Sequence, residues 1–199
     1  MRSVAATIAV ILAGVTVLWH TTDGARAFTT EGARRLAVAQ HPPAIPDVLL
    51  QDRNGALFRM SELRTRTVVV DFIYTGCLTF CRVMGNTLQQ VRRELPADGA
   101  GEDVMLLSIS FDPANDTPAR LRAYAKRYGA NPGDWKIARV INADALPRLL
   151  DVFGITVIPD GLGGFEHNAA LHVVQDGRLV SIVDYDDAMA AIDALRIYR

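Results

Sequence analysis

The run Val68-Val69-Val70-Asp71-Phe72-Ile73-Tyr74-Thr75-Gly76-Cys77-Leu78-Thr79-Phe80-Cys81 decides how the rest of the chain is read. Residues 68–73 are strongly β-prone. Tyr74-Thr75-Gly76 follows as a turn, and the residues after it have the look of a first helical turn. Cys77 and Cys81 are the only two cysteines among 199 residues. Strand, turn and helix start therefore bring both thiols of the molecule to one place.

Downstream of the pair, Met84, Leu88, Val91 and Leu95 recur at helical spacing while Arg82, Asn86, Gln89, Arg92 and Arg93 face water. This predicts a helix over about residues 78–95, stopped by Pro96. Residues 104–111 are almost continuously apolar, as in a strand buried on both faces. A second helix starts at Asp116-Thr117-Pro118, with Thr117 or Asp116 as N-cap and Pro118 at or near the first helical position. Leu121, Tyr124, Ala125 and Tyr128 form its inner face, and Gly129 fits the C-cap. Residues 135–141 predict another strand. Residues 144–153 predict a third helix with Leu146, Leu149, Leu150 and Phe153 as its stripe. Gly161-Leu162-Gly163-Gly164 is a glycine-rich loop. Strands at 171–174 and 179–183 flank a Gln175-Asp176-Gly177-Arg178 hairpin, and Asp186 or Asp187 caps a last helix to about Arg196.

Upstream, residues 47–50 and 57–60 flank Asp52-Arg53-Asn54-Gly55, a hairpin turn, and Ser61-Glu62-Leu63 makes a short turn before the Val68 strand. The order is hairpin, β, α, β, α, β, α, β, β, α, without internal repeat. It predicts an α/β protein: a thioredoxin-like fold with an N-terminal β-hairpin and insertions, over residues 47–199. Residues 28–46 read as a linker, a modest helix to Gln40 and then the extended His41-Pro42-Pro43-Ala44-Ile45-Pro46. Residues 4–19 form an uncharged apolar run behind Arg2, and Ala25-Arg26-Ala27 offers a small-x-small cleavage site. Residues 1–27 are thus a signal peptide or a membrane anchor, with Trp19 placed as an interfacial aromatic. Either way the domain is exported, to the periplasmic side of an inner membrane or an equivalent compartment. The absence of a cysteine near this segment excludes a bacterial-type lipid anchor there.

Half of the residues are apolar and the net charge is −1. With no basic block and no interleaving of aromatic and basic residues, nothing points to nucleic acid. Two cysteines are too few for a disulfide scaffold or a four-thiolate zinc site. Spaced i and i+4 on a helix, they share one face with Cβ atoms about 5–6 Å apart. The orphan N–H groups of a helix N-terminus favour thiolates. Such a pair suits Cu(I), binds zinc, cycles as a disulfide, or is simply two inert buried cysteines.

Three motifs in order carry a family resemblance: Asp71-Phe72-Ile73-Tyr74-Thr75-Gly76-Cys77-x3-Cys81; Leu107-Ser108-Ile109-Ser110-Phe111-Asp112-Pro113-x2-Asp116-Thr117-Pro118 with Leu121-x2-Tyr124-Ala125; and His167-Asn168-Ala169 ahead of Val173-Val174-x-Asp176-Gly177. Over residues 44–198 the chain resembles the Sco/SenC copper chaperones, thioredoxin-like proteins that help assemble the binuclear copper centre of cytochrome c oxidase. The resemblance implies one copper per chain held by Cys77, Cys81 and His167. It further implies a copper-bearing oxidase subunit, or another cuproprotein, as partner, and a thiol reductant to keep the pair reduced. The chain departs from the family's pattern at Leu78 and Arg82, where proline is usual, at Glu166, where aspartate is usual, and at His172, where an aromatic residue is typical.

The Gly161–Gly164 loop gives His167 freedom to swing. His172 is expected to be a packed or half-exposed histidine rather than an auxiliary ligand, Asp112 a turn residue or a neighbour of the metal loop, and Asp116 a cap. His20 and His41 read as membrane-edge and linker residues. The five methionines are scattered, so a methionine-rich copper store is not supported. Copper delivery is the first reading. The alternative is an exported thiol–disulfide oxidoreductase with Cys77 attacking and Cys81 resolving, and a peroxidase ranks third. The C-x3-C spacing, in place of the C-x2-C of general thiol reductases, favours metal.

Overall fold

Two seven-residue strands mark the centre of the sheet: β3 (Thr67–Ile73) and β4 (Val104–Ser110) are buried at every residue. They pair in parallel from Thr67 opposite Val104 to Ile73 opposite Ser110. The computed structural model describes residues 2–77, 80–95 and 103–198; the side chains of residues 2, 80 and 81 fall outside that description, as do the expected helix start at Leu78 and stop at Pro96.

The chain divides into two compact units, residues 1–42 and 43–199. The first holds α1 (Arg2–Thr21) and α2 (Thr30–Gln40). Over Ser3–Thr21, α1 is long and apolar enough to cross a membrane. Its threonines turn their hydroxyls onto their own helix: Thr7 donates to Ser3 O at 2.9 Å and Thr16 to Leu12 O at 2.8 Å. Polar groups satisfied in this way are tolerated in apolar surroundings. The Thr29 hydroxyl caps α2 by accepting from Gly32 N–H, and Glu31 pairs with Arg34 and Arg35.

The second unit is the expected thioredoxin-like α/β domain. A seven-stranded sheet runs in the order β2-β1-β5-β4-β3-β8-β9, with β1 (Leu49–Asp52), β2 (Leu57–Arg59), β5 (Trp135–Val140), β8 (Ala170–Gln175) and β9 (Arg178–Asp184) around the central pair. The β1–β2 hairpin, anticipated from Asp52–Gly55, pairs antiparallel with the edge of β5. Asp176 and Gly177 have φ of 52° and 72°, the two left-handed positions of the tight turn joining β8 to β9.

Alternation along β3 sorts the core into two layers. Val69 and Ile73 face α3 (Phe80–Glu94), α4 (Pro118–Tyr128) and α6 (Ala188–Ile197), packing with Met84, Leu88, Leu121, Tyr124, Ile192 and Leu195. Phe72 faces the opposite layer, where α5 (Leu146–Phe153) places the Phe153 ring 5.0 Å away. The third predicted helix is in fact a 3-10 turn, Ala143–Ala145, followed by α5. Pro147 sits in the first turn of α5, so the regular helix starts later than expected. Only Leu149 and Phe153 of its predicted stripe are buried.

Two core positions depart from simple packing. At Gly85, an added Cβ would lie 2.5 Å from the ring of the buried Tyr128, so α3 and α4 cross where only glycine fits. Gly85→Ala therefore forces the ring aside, at a cost of about 1–3 kcal/mol; thermal unfolding followed by circular dichroism should show a Tm several degrees lower with unchanged secondary structure.

The second is Asp71, on the strand face it shares with Val69 and Ile73. It is 0 % exposed, and neither carboxylate oxygen meets a donor within hydrogen-bond geometry among the described residues. Burial raises its pKa from an ordinary 3.8 to about 7, moderated by the Ser108 hydroxyl beside it and by the strand's own N–H. The folded protein thus keeps a proton between these two values that the unfolded chain has released. Stability from this group is full below the unfolded pKa, falls as pH rises, and is lost above about 7. The difference amounts to up to about 4 kcal/mol at pH 8. Asp71→Asn should flatten the stability–pH profile: urea midpoints of parent and variant lie close at pH 5, and the variant's is the higher at pH 8. Parallel profiles would acquit Asp71.

Candidate functional site

The two parallel strands end at one edge of the sheet, where loops diverge and ligands commonly bind in α/β proteins. From β3 the chain turns through Tyr74-Thr75-Gly76 into Cys77, whose N–H donates to Tyr74 O at 3.2 Å. From β4 it passes through Phe111–Thr117 into α4. Strand β8 lies antiparallel beside β3, with Val70 opposite His172, so β8 begins where β3 finishes. The residues just before Ala170, His167 among them, are thereby returned to the end of the sheet that carries Cys77.

Cys77 is 5 % exposed and packs in the core cluster with Ile73 and Met84. Cys81 lies in the first turn of α3, and its side chain is outside the described residues. Among the described residues, which do not include the Cys81 thiol, no three His, Cys, Asp or Glu side chains form a group able to hold a metal ion.

His167 was expected on a flexible loop. It is instead the last residue of a short strand, β7 (Phe165–His167), paired antiparallel with β6 (Val157–Pro159), Val157 opposite His167. The glycines form only the tip of this hairpin. The Asp160 carboxylate accepts from the N–H groups of Leu162 at 2.7 Å and Gly164 at 2.9 Å, which hold it below the usual carboxylate range. Asn168 closes the base, accepting from Thr156 N–H and donating to Gly154 O.

The His167 ring stands on an aromatic shelf, 4.9 Å from Phe111 and 6.1 Å from Tyr74, with Phe165 completing the cluster. Tyr74 is three residues ahead of Cys77, and Phe111 is the first residue after β4. The imidazole is therefore packed against the thiol turn itself. Its Nδ1 lies 2.9 Å from Asn168 O; the tautomer that donates this bond presents Nε2 as the ligand atom.

Asp116 is not the helix cap. Thr117 is, its hydroxyl accepting from Arg120 N–H. The Asp116 carboxylate, 1 % exposed, turns back to accept from Thr75 N–H at 3.0 Å, Thr75 Oγ1–H at 2.5 Å and Ser110 Oγ–H at 2.5 Å. It thus ties the cysteine turn to the end of β4. Asp112 spends its side chain on Asn115, whose amide reaches both its oxygens at 3.0 Å. His172, fully buried, lies in the opposite layer between the rings of Phe72 and Phe153, its Nε2 3.1 Å from Phe153 O. It is a packed core histidine on the α5 side of the sheet.

Asp116→Ala leaves the Thr75 N–H and hydroxyl of the thiol turn, and the Ser110 hydroxyl at the end of β4, without their acceptor. A loss of about 2–3 kcal/mol follows from groups orphaned at a buried carboxylate. Amide exchange should rise at Thr75–Cys77 more than in β3; uniform change along the strand would show that Asp116 does not hold the turn.

The SCO1/SenC family model matches residues 39–195. A protein of Stutzerimonas stutzeri named as copper-binding is 30% identical over 141 residues, covering 68% of this chain and 67% of that protein. The SCO1 protein homolog of Bacillus subtilis is 25% identical over 151 residues, 71% of this chain and 77% of that one. The copper-bound structure of Bradyrhizobium japonicum ScoI superposes with a TM-score of 0.65 at 22% identity, covering 79% of this chain and 100% of that one. A family match over most of the length and the same fold agree: this chain belongs to the SCO1/SenC family.

Proposed function

We propose that this protein is a copper metallochaperone that binds one copper ion through Cys77, Cys81 and His167 and passes it to the copper centre of a respiratory oxidase. The observation that carries the reading is the packing of His167 on Tyr74 and Phe111, which brings the imidazole against the turn that leads into Cys77. The copper-binding relative and the copper-bound structural neighbour support it. Two thiolates and one imidazole suit copper in either oxidation state, and a three-ligand set leaves a side open for a partner's ligand to enter. Copper is the cargo. Both thiols must be deprotonated to hold it, so loading releases protons and requires the pair to be reduced. The N-terminal helix would keep the domain at the outer, periplasmic face of a membrane.

Copper titration of the reduced full chain in a neutral detergent tests the reading. The expected result is one equivalent of copper, with a thiolate-to-Cu(II) charge-transfer band that Cys77→Ser and Cys81→Ser each abolish. His167→Ala should weaken Cu(II) binding more than Cu(I) binding, because imidazole matters less to the softer ion. A reduced chain that takes up no copper would overturn the proposal.

A further inference from the structure

Beside the thiol turn lies a cleft of about 260 Å³, walled on one side by Thr75 and Gly76 and on the other by Arg120, Ala123, Tyr124 and Arg127 of α4. Both arginines are exposed, and neither has an ion-pair partner or a side-chain hydrogen bond among the described residues. Four cations and no acid occur along the eleven residues of α4: Arg120, Arg122, Lys126 and Arg127. Arg122 alone has a described structural task, donating to Arg53 O at 2.8 Å.

Arg120 stands in the first turn of α4, and Arg82 in the first turn of the thiol helix α3; neither helix has an acid there. A cation at a helix N-terminus opposes the macrodipole. Helix stability therefore does not account for either arginine, in a chain whose net charge is only −1. The acid adjoining the cleft wall, Asp116, is buried, with its oxygens already occupied by Thr75 and Ser110.

We propose that this cleft selects small thiols and disulfides that carry carboxylates near the sulfur. The volume is close to the lower end for small-ligand sites, on the order of 300 Å³. Arg120 and Arg127 would hold the carboxylates while the partner's sulfur meets the cysteine pair. The inference rests on the reading of Cys77 and Cys81 as a reactive pair, and it names the class of reductant that keeps them ready for copper. In the oxidising direction one thiolate of the pair attacks a partner disulfide, forming a mixed disulfide and expelling one partner thiolate. The second protein thiolate then closes Cys77–Cys81 and expels the other. Two electrons pass from the pair to the partner disulfide, and reduction by two partner thiols is the reverse.

The test compares three disulfides on the reduced full chain in neutral detergent: oxidised glutathione, cystamine and bis(2-hydroxyethyl) disulfide, which are anionic, cationic and neutral. Disulfide closure is followed by quenched-flow alkylation and mass spectrometry. Each rate is divided by that of a free dithiol with the same reagent, and then by the protein's own rate with the neutral one. At low salt the anionic reagent should be favoured over the cationic by about tenfold or more, the effect of a local charge cluster on encounter. The preference should shrink at 0.5 M salt, where screening lengths fall to a few ångströms, roughly 4 Å. Arg120→Glu with Arg127→Glu should reverse it. A parent without preference, or a double variant that keeps it, overturns the inference while leaving the reactive pair intact. Failure of the neutral reagent to oxidise the pair overturns the reactive-pair reading, and this inference with it.

Discussion

The carboxylate of Asp116 is the interaction on which the site depends. Two parallel strands that end side by side must send their chains apart, and the first residues beyond the sheet lose their ladder partners. Thr75 is such a residue: its N–H has no strand to donate to. One buried carboxylate takes that N–H, the Thr75 hydroxyl and the Ser110 hydroxyl together. Because Ser110 is the last residue of β4 and Thr75 lies two residues beyond β3, the clamp transfers the rigidity of the parallel pair to the turn before Cys77. The aromatic shelf has the same origin. Tyr74 and Phe111 occupy equivalent places, one residue past each strand, with ring centroids 5.4 Å apart. His167 then packs onto a platform the sheet has already built.

Asp71 runs against this economy. A wholly apolar strand at that position would be more stable, since a buried carboxylate must either stay protonated or be desolvated. Local rules broken in this way concentrate near functional sites. Asp71 sits six residues before Cys77, opposite Ser108, whose hydroxyl already accepts from Trp135 Nε1 at 3.0 Å. The conflict is confined to one face of one strand. On the other face of β3, Val68, Val70 and Phe72 are buried apolar residues, and Phe72 packs against Phe153 of α5.

Much of the fold was legible because its signals are local. Thr117-Pro118 and Gly129 bracket α4, Asp176-Gly177 dictates a two-residue turn, and unbroken apolar runs mark strands covered on both faces. What escaped was held by side chains acting over distance. Residues 157–167 contain Pro159 and three glycines, and nothing in their periodicity announces two strands; the hairpin exists because Asp160 and Asn168 bind backbone groups across it. Asp116 was misread for a related reason. Its spacing before Pro118 suits a cap, and only the tertiary fold brings Thr75 to it. For Asp71 a signal was present, one acid inside Val-Val-Val-Asp-Phe-Ile, which a purely β-prone reading passes over. The expectation that His167 joins the thiols came from family resemblance; the register of β8 on β3 is what returns it to the end of the sheet that carries Cys77.

The proposed ligands differ in how they are held, and the difference bears on transfer. Cys77 follows directly from the turn after β3, which is rooted in the central parallel pair, and Cys81 belongs to the first turn of α3. The imidazole comes from a two-stranded hairpin outside the main sheet, fastened at its base by Asn168 and resting on rings rather than interlocked with the core. Contacts of ring on ring are worth about 0.5–1.5 kcal/mol each beyond the area they bury, far less than displacing a central strand would cost. In the proposed copper site the third ligand would leave by a tilt of β6 and β7, with the turn before Cys77 staying in place. That order of release would present a partner with a copper ion on two sulfurs and an open side, which a ligand-exchange mechanism requires.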